Sequence, residues 1–180
     1  MKDFEISYWN NRYNSGLTSG YGSYGEALER KLNWLKGLGI ESISDMGCGD
    51  FNFGSNLLKI YPKASYMGYD ISNVIIEKNK KEYPNINFTN ELNLPDSDLL
   101  LCVDVLFHIK EDEEYNKMLE YLKNHWKKYL AVTAYEREAL PVEEGGHVKV
   151  RNFDYKQFGT PIIREISEEA GALRFYLFKK

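Results

Sequence analysis

The chain has 180 residues, 43% hydrophobic and 28% charged, with 23 Lys and Arg against 27 Asp and Glu and a net charge of −4. That is one domain's length, enough to bury roughly two thirds of the unfolded surface. The acidic balance argues against non-specific binding to nucleic acid or a membrane surface, which needs a basic field. Two cysteines, Cys48 and Cys102, are too few for a disulfide framework or a four-ligand zinc site. The start MKDFEISYWNNRY has no apolar h-region, and no run approaches the ~18 apolar residues of a membrane span. The expectation is a reduced, cytoplasmic protein that binds neither nucleic acid nor membrane.

Asn10 to Gly25 holds Gly16, Gly20, Gly22 and Gly25 with interspersed serines and reads as a loop, so residues 1–25 form an arm or lid. A helix follows from about Tyr24 to Leu38, with Tyr24, Leu28, Leu32 and Leu35 on one stripe and Gly37 and Gly39 as stops. Short apolar runs then alternate with helices. The strand candidates are Ser42–Met46, Ser65–Asp70, Ile86–Asn90, Leu99–Val105, Tyr129–Tyr135, Ile162–Ile166 and Leu173–Lys179. The helix candidates are Ser55–Tyr61, Ser72–Tyr83 and Glu111–Trp126, the last with Tyr115, Met118, Leu119, Leu122 and Trp126 on one face. This alternation predicts a single-domain, Rossmann-like, doubly wound α/β fold with a mostly parallel seven-stranded sheet. The link Ser-Glu-Glu-Ala-Gly-Ala between the last two strands is too short for a crossover helix, so the last strand should be antiparallel. Residues 40–135 make the core and 136–160 a segment beside it.

The most specific local signal is Ile43-Ser44-Asp45-Met46-Gly47-Cys48-Gly49-Asp50, a strand ending in a glycine turn before a helix. Ligands of open α/β sheets bind beyond the carboxyl ends of the strands, where this turn lies. The next strand ends in Asp70, 21 residues after Gly49, and an acidic residue there suits the two hydroxyls of a ribose. A dinucleotide site would place a third glycine three residues after Gly49, but Gly54 is five away. Asp45 and Asp50 would also repel a pyrophosphate and attract a sulfonium. The residues therefore favour a cationic, phosphate-free nucleoside, S-adenosylmethionine.

Three segments, Ile43–Asp50, Met67–Ser72 (MGYDIS) and Ser97–Ile109 (SDLLLCVDVLFHI), resemble those of class I S-adenosylmethionine-dependent methyltransferases. A departure is Phe51, or Asp50, where many relatives carry a further glycine. The resemblance implies that Asp45, Gly47, Cys48 and Gly49 lie at the cofactor's amino-acid end, that Asp70 holds the ribose and that Ile71 flanks the adenine. It implies that Asn90, Glu91 and Leu92 contact the adenine edge, and that Cys102, Val103 and Asp104 lie below the transferred methyl. Trp9 to Gly25, Asp104 to Ile109 and Gly146 to Phe153 further resemble small bacterial methyltransferases of surface-polysaccharide gene clusters, with Lys149 and Val150 where such relatives often have Arg and His.

His125 ends a helix, where a cation is favourable, and reads as structural. His108 follows the fourth strand, where the family's acceptor site opens. Alternation in His147-Val-Lys149-Val-Arg151 places the three basic side chains on one face. The candidate catalytic residues are His108 and His147, one of them a general base for a hydroxyl acceptor, since a free imidazole titrates near pH 6.5. Lys149, Arg151 and Tyr24 are candidate substrate contacts, and the arm aromatics Tyr8, Trp9, Tyr13 and Tyr21 could face a sulfonium. No metal-binding spacing is present, so no metal is expected. The activity expected is methyl transfer from S-adenosylmethionine, leaving S-adenosylhomocysteine, to a small-molecule acceptor such as a hydroxyl of a sugar- or phosphate-containing metabolite. The alternative is a non-catalytic nucleoside-binding protein on the same fold. Base methylation is disfavoured by the absence of an Asn/Asp-Pro-Pro-Tyr/Phe motif.

Overall fold

The computed structural model describes residues 2–136, 146–167 and 173–180. Of the segments expected above, 137–145 of the acceptor-side stretch and most of the Ser167–Ala172 link lie outside them. Helix α1 spans Lys2–Asn14 and α2 Gly25–Trp34, joined by a loop with a 3-10 turn at Tyr21–Ser23. There follow β1 (Ser42–Met46), α3 (Asn52–Ile60), β2 (Ser65–Tyr69), α4 (Asn73–Glu82), β3 (Asn87–Thr89), β4 (Ser97–Cys102), α5 (Asp112–Asn124), β5 (Trp126–Tyr135), β6 (Ile162–Ser167) and β7 (Leu173–Lys179). The sheet order is β3-β2-β1-β4-β5-β7-β6. The pairs from β3 to β5 are parallel, and β7 runs antiparallel between β5 and β6. This is the doubly wound sheet that the strand–helix alternation predicts.

Period-two alternation feeds two cores. Leu99 and Leu101 of β4 join Ile43, Leu57 and Ile76 on the face covered by α2, α3 and α4. Leu100 and Cys102 point the other way, to Leu119, Leu122, Phe153 and Tyr176 under α5. A strand buried on both faces has no polar positions to spare.

Several boundaries differ from the sequence reading; α2 stops at Trp34 instead of Leu38, α3 starts at Asn52 instead of Ser55, and β4 runs Ser97–Cys102 instead of Leu99–Val105. Asn10–Asn14, expected as loop, completes α1. Side-chain bonds to the body of the protein, more than an apolar stripe, seat this helix: Ser72 Oγ donates to Asn10 Oδ1 at 2.7 Å, and Lys78 Nζ donates to the Tyr13 carbonyl. Trp126, expected on the face of α5, is the first residue of β5. The helix ends at His125, whose Nδ1 lies 3.0 Å from Asp96 and whose ring stacks on Tyr121. The third strand shrinks to three residues.

Phe51, the departure from the glycine of many methyltransferases, caps the start of α3 with φ 61, in the left-handed region. It is 2% exposed and packs edge-on against Tyr66, Tyr83 and Phe88 at 4.8–5.1 Å. Aromatic burial holds a backbone conformation that a side chain would otherwise avoid. Phe51→Ala should therefore cost about 3–5 kcal/mol of unfolding free energy. Phe51→Gly should cost no more than Phe51→Ala, because glycine takes this φ without strain. Urea denaturation of the two variants measures both effects.

Candidate active site

The carboxyl ends of β1, β2 and β4 meet at one place, and the arm closes over them. The Gly47 and Cys48 N–H groups both donate to the Tyr69 carbonyl, at 2.7 and 2.9 Å, which pins the glycine turn to the end of β2. Gly49 N donates to Asp70 Oδ2 at 3.0 Å and Ser72 N to Oδ1 at 2.9 Å. The Asp70 carboxyl is buried, and burial pushes it up to about 6 against the opposing pull of those two bonds.

Gly47, Gly49, Asp70, Ile71, Val103 and Asp104 line a cavity of about 690 Å³, counting its open mouth, together with His108 and the arm residues Glu5, Trp9, Tyr13 and Ser19. The arm is bonded to the turn reciprocally. Ser19 N donates to Asp50 Oδ2 and Asp50 N to Ser19 Oγ, both at 2.8 Å. A Cβ at Gly49 would stand 2.1 Å from Ser19 Oγ, so only glycine lets the arm sit this close.

A second, wider cavity of about 1580 Å³, counting its open mouth, lies beside the first. Asp104, His108, Trp9 and Ser19 belong to both. Its other lining groups include His147, Tyr21, Tyr135, Lys31, Arg12 and Arg30. Arg12 donates to the Thr18 carbonyl and lies over the Trp9 ring at 5.9 Å. Neither Arg12 nor Arg30 has a carboxylate partner among the described residues.

Asp104 stands between the cavities with φ 59. Thr133 Oγ1 donates to Asp104 Oδ1 at 3.0 Å and accepts from the Asp104 backbone N–H. Lys31 Nζ forms an ion pair with Asp104 Oδ2 and donates to the Gly22 carbonyl at 3.0 Å. Lys31 is 2% exposed. A Cβ at Gly22 would fall 2.1 Å from Asp104 Oδ2.

His108 is held in a stack. Its ring lies 5.1 Å from the His147 ring at 11°, and His147 lies 4.8 Å from Tyr8 at 10°. Trp9 meets His108 edge-on at 5.1 Å. Burial pushes the His108 imidazole down to about 4 and lowers His147 as well. His108 Nδ1 lies 3.2 Å from the His147 carbonyl. A carbonyl can only accept, so Nδ1 carries the proton and Nε2 the lone pair.

Nine of the expected site residues line neither cavity. Asp45 is fully buried beneath the turn, where Tyr66 Oη donates to it at 2.6 Å; burial pushes its carboxyl up to about 7. Cys48 and Cys102 are buried free thiols, both pushed up by burial. Asn90, Glu91 and Leu92 are exposed, because the chain turns outward after the short β3 with Glu91 N donating to Thr89 Oγ1. Tyr24 donates to Asp50 Oδ2 at 2.8 Å and ties the arm to the turn. Lys149 and Arg151 are drawn to Asp112 at the start of α5, at 2.7 and 2.8 Å. Arg151 also donates to the Ile109 and Lys110 carbonyls and lies over the Tyr115 ring at 4.4 Å. The expected common face of His147, Lys149 and Arg151 is thus divided, because the segment is not a strand and each side chain follows its own partner.

Sequence reasoning missed Glu5, Arg12, Arg30, Lys31 and Thr133. Only Lys31 left a signal, a cation three residues after Leu28 and four before Leu35 on the apolar stripe of α2. Among the described residues, no group of three or more His, Cys, Asp or Glu could hold a metal ion, and no helix is long and apolar enough to cross a membrane.

A family model described as an O-methyltransferase domain matches residues 4–139. No curated protein matches the sequence. Among solved structures, the chain is similar to magnesium protoporphyrin IX methyltransferase from Synechocystis PCC 6803 with bound S-adenosylmethionine. The TM-score is 0.70 over 98% of this chain and 95% of that one, at 18% identity. It is similar to the N-methyltransferase NodS from Bradyrhizobium japonicum, with TM-score 0.61, 13% identity, 86% of this chain and 97% of that one. It is also similar to human N-acetylserotonin methyltransferase in complex with S-adenosylmethionine, with TM-score 0.61 and 14% identity; the match covers all of this chain and 56% of that one. At these identities the likeness is one of fold.

Two measurements probe the buried charges. Lys31→Met leaves the Asp104 carboxylate uncompensated and should cost about 3–5 kcal/mol, part of which Asp104→Asn in the same chain should restore; chemical denaturation of the single and double variants reads both. Asp45 retains its proton in the fold up to about pH 7, whereas the unfolded chain loses it near 3.9. Its contribution to stability is present at low pH and lost as pH rises from about 4 to 7. His108 acts in the opposite sense, losing stability as pH falls from about 6.5 towards 4. Asp45→Asn keeps the His108 effect and removes the other, so its melting temperature should gain on wild type as pH is raised from 5 to 8.

Proposed function

Because the chain belongs to the O-methyltransferase domain family and is an S-adenosylmethionine-dependent methyltransferase, we propose that its acceptor is a hydroxyl of a small sugar- or phosphate-containing metabolite bound in the second cavity. The observation that carries this reading is the pair of guanidinium groups, Arg12 and Arg30, that have no carboxylate partner among the described residues and stand on the wall of a cavity that meets the first at Asp104 and His108. Guanidinium groups recognise phosphate and carboxylate through their fork of N–H donors. The narrower resemblance to methyltransferases of surface-polysaccharide clusters supports a sugar. The anion contacts first expected of Lys149 and Arg151 pass in this reading to Arg12 and Arg30.

The residues of the first cavity fit the methyl donor. A buried carboxylate with both oxygens already oriented by backbone N–H groups suits a ribose diol, and two glycines let a ligand approach the turn closely. The donor supplies an electrophilic methyl on a sulfonium. The chain supplies position and a proton acceptor. Gly47 and Gly49 set how near a ligand stands to β1, and the Asp104–Lys31 pair fixes the boundary with the acceptor. His108 Nε2, with its lone pair free, takes the proton of the acceptor hydroxyl as the new bond to oxygen forms. The Asp104 carboxylate favours the imidazolium that results. Enforced alignment of nucleophile and methyl provides much of the rate in such displacements.

His108→Ala should lower kcat by about 10²–10⁴-fold and leave S-adenosylhomocysteine affinity nearly unchanged. Arg12→Gln should raise KM more than it lowers kcat. In wild type the acidic limb of kcat/KM should fall near pH 4, since the His108 base is unprotonated above that value. The assay is turnover of phosphorylated and unphosphorylated sugars at varied pH. Equal KM values for the two sets would remove the anion site from the reading. An acidic limb that His147→Ala abolishes and His108→Ala leaves in place would move the base to His147.

A further inference from the structure

Helix α1 carries a carboxylate into the donor cavity that the reading above leaves unused. Glu5 lines that cavity and is 8% exposed. Its Oε1 accepts from the Lys110 N–H at 3.0 Å. Its Oε2 is buried and has no hydrogen-bond partner among the described residues. Buried polar atoms in folded proteins are almost always paired, and an orphan in a binding cavity marks the place of a ligand group. An ionised carboxylate only accepts, so the missing partner is an N–H or O–H donor.

The placement of α1 says which donor. The helix crosses from the β4–α5 side, where Glu5 meets Lys110, to the β2–α4 side, where Asn10 meets Ser72 and Tyr13 meets Lys78. Ile109, next in the chain to Glu5's partner Lys110, lines the cavity, and Met118 of α5 adds a second apolar side chain to its wall. The polar groups Ser19, Gly47 and Gly49 lie towards the arm loop and the glycine turn. An apolar slot with one acceptor in its wall suits a flat base with an exocyclic amine, and the polar end suits the amino-acid portion. Asn90, Glu91 and Leu92 stand exposed and outside the cavity.

We propose that Glu5 Oε2 accepts a hydrogen bond from the exocyclic amine of the donor's adenine, which makes Glu5 the base-specificity residue of this enzyme. The inference rests on S-adenosylmethionine as the donor and is independent of the acceptor.

The test is calorimetric binding of S-adenosylhomocysteine and of S-inosylhomocysteine, in which a carbonyl replaces the amine. Wild type should prefer the adenosyl compound by about tenfold or more, since a carbonyl facing Glu5 leaves a buried acceptor unpaired. Glu5→Gln keeps an oxygen for the Lys110 N–H and offers the base an N–H in place of Oε2. Its preference should vanish or invert. The ratio is taken within each variant, so a general loss of stability cancels. If Glu5→Gln does not fold, Glu5→Asp, with its carboxylate withdrawn, should reduce the preference without inverting it. 5′-Methylthioadenosine, which has the base but no α-ammonium, should weaken on Glu5→Gln by the same factor as S-adenosylhomocysteine. An unchanged preference in both variants would overturn the proposal. So would 5′-methylthioadenosine binding that Glu5→Gln does not alter, because the carboxylate would then face the ammonium. Failure of wild type to bind S-adenosylhomocysteine at all is a different result, and would overturn the donor assignment.

Discussion

The site is organised around a lysine ammonium that has been taken out of water. Lys31 reaches from α2 into the gap between the arm and the end of β4, where it holds the Gly22 carbonyl and the Asp104 carboxylate together. Burying such a cation alone would cost several kcal/mol, and it is tolerated only because both partners are in place. The arm, α2 and the end of β4 are thereby tied to one atom. The left-handed backbone of Asp104, the absence of a side chain at Gly22 and the hydroxyl of Thr133 all follow from fitting groups around that contact.

The charge argument that separates a sulfonium from a pyrophosphate starts from Asp45 and Asp50, neither of which lines the cavity. Asp45 faces Tyr66 under the turn, and Asp50 faces outward to Ser19 and Tyr24. The carboxylates that line the cavity are Glu5, Asp70 and Asp104. Anionic character at the strand ends is a property of the region and does not depend on any one residue. The burial that raises Asp45 and Asp70 also keeps the thiols of Cys48 and Cys102 protonated. Both cysteines serve packing.

Most of the sheet was legible, because a strand buried on both faces leaves an apolar run and a parallel crossover leaves a helix between runs. Gly47, Gly49 and Asp70 were legible because the turn and the strand end are local. What was not legible depends on contacts between distant segments. Helix α1 has polar residues on most sides and is seated by Ser72, Lys78 and Lys110, none of them near it in sequence. The alternation of His147, Lys149 and Arg151 implied one face, but a loop residue is under no pleat constraint, and Asp112 claims two of the three. Glu91 sits at the right distance after a strand, yet that strand stops after three residues and the chain turns away. Arg12 and Arg30 resemble ordinary surface cations in sequence, and only the shape of the second cavity gives them a common direction.

The arm that completes the donor cavity also bounds the second. Trp9 and Ser19 form part of the wall of both cavities, so the shape of each depends on where the arm lies. Moving the arm asks the loop around Ser19 to give up its paired bonds to Asp50. The width of both cavities is then tied to how closely a short stretch of glycine and serine lies on a glycine turn, and the small residues of that stretch set the fit.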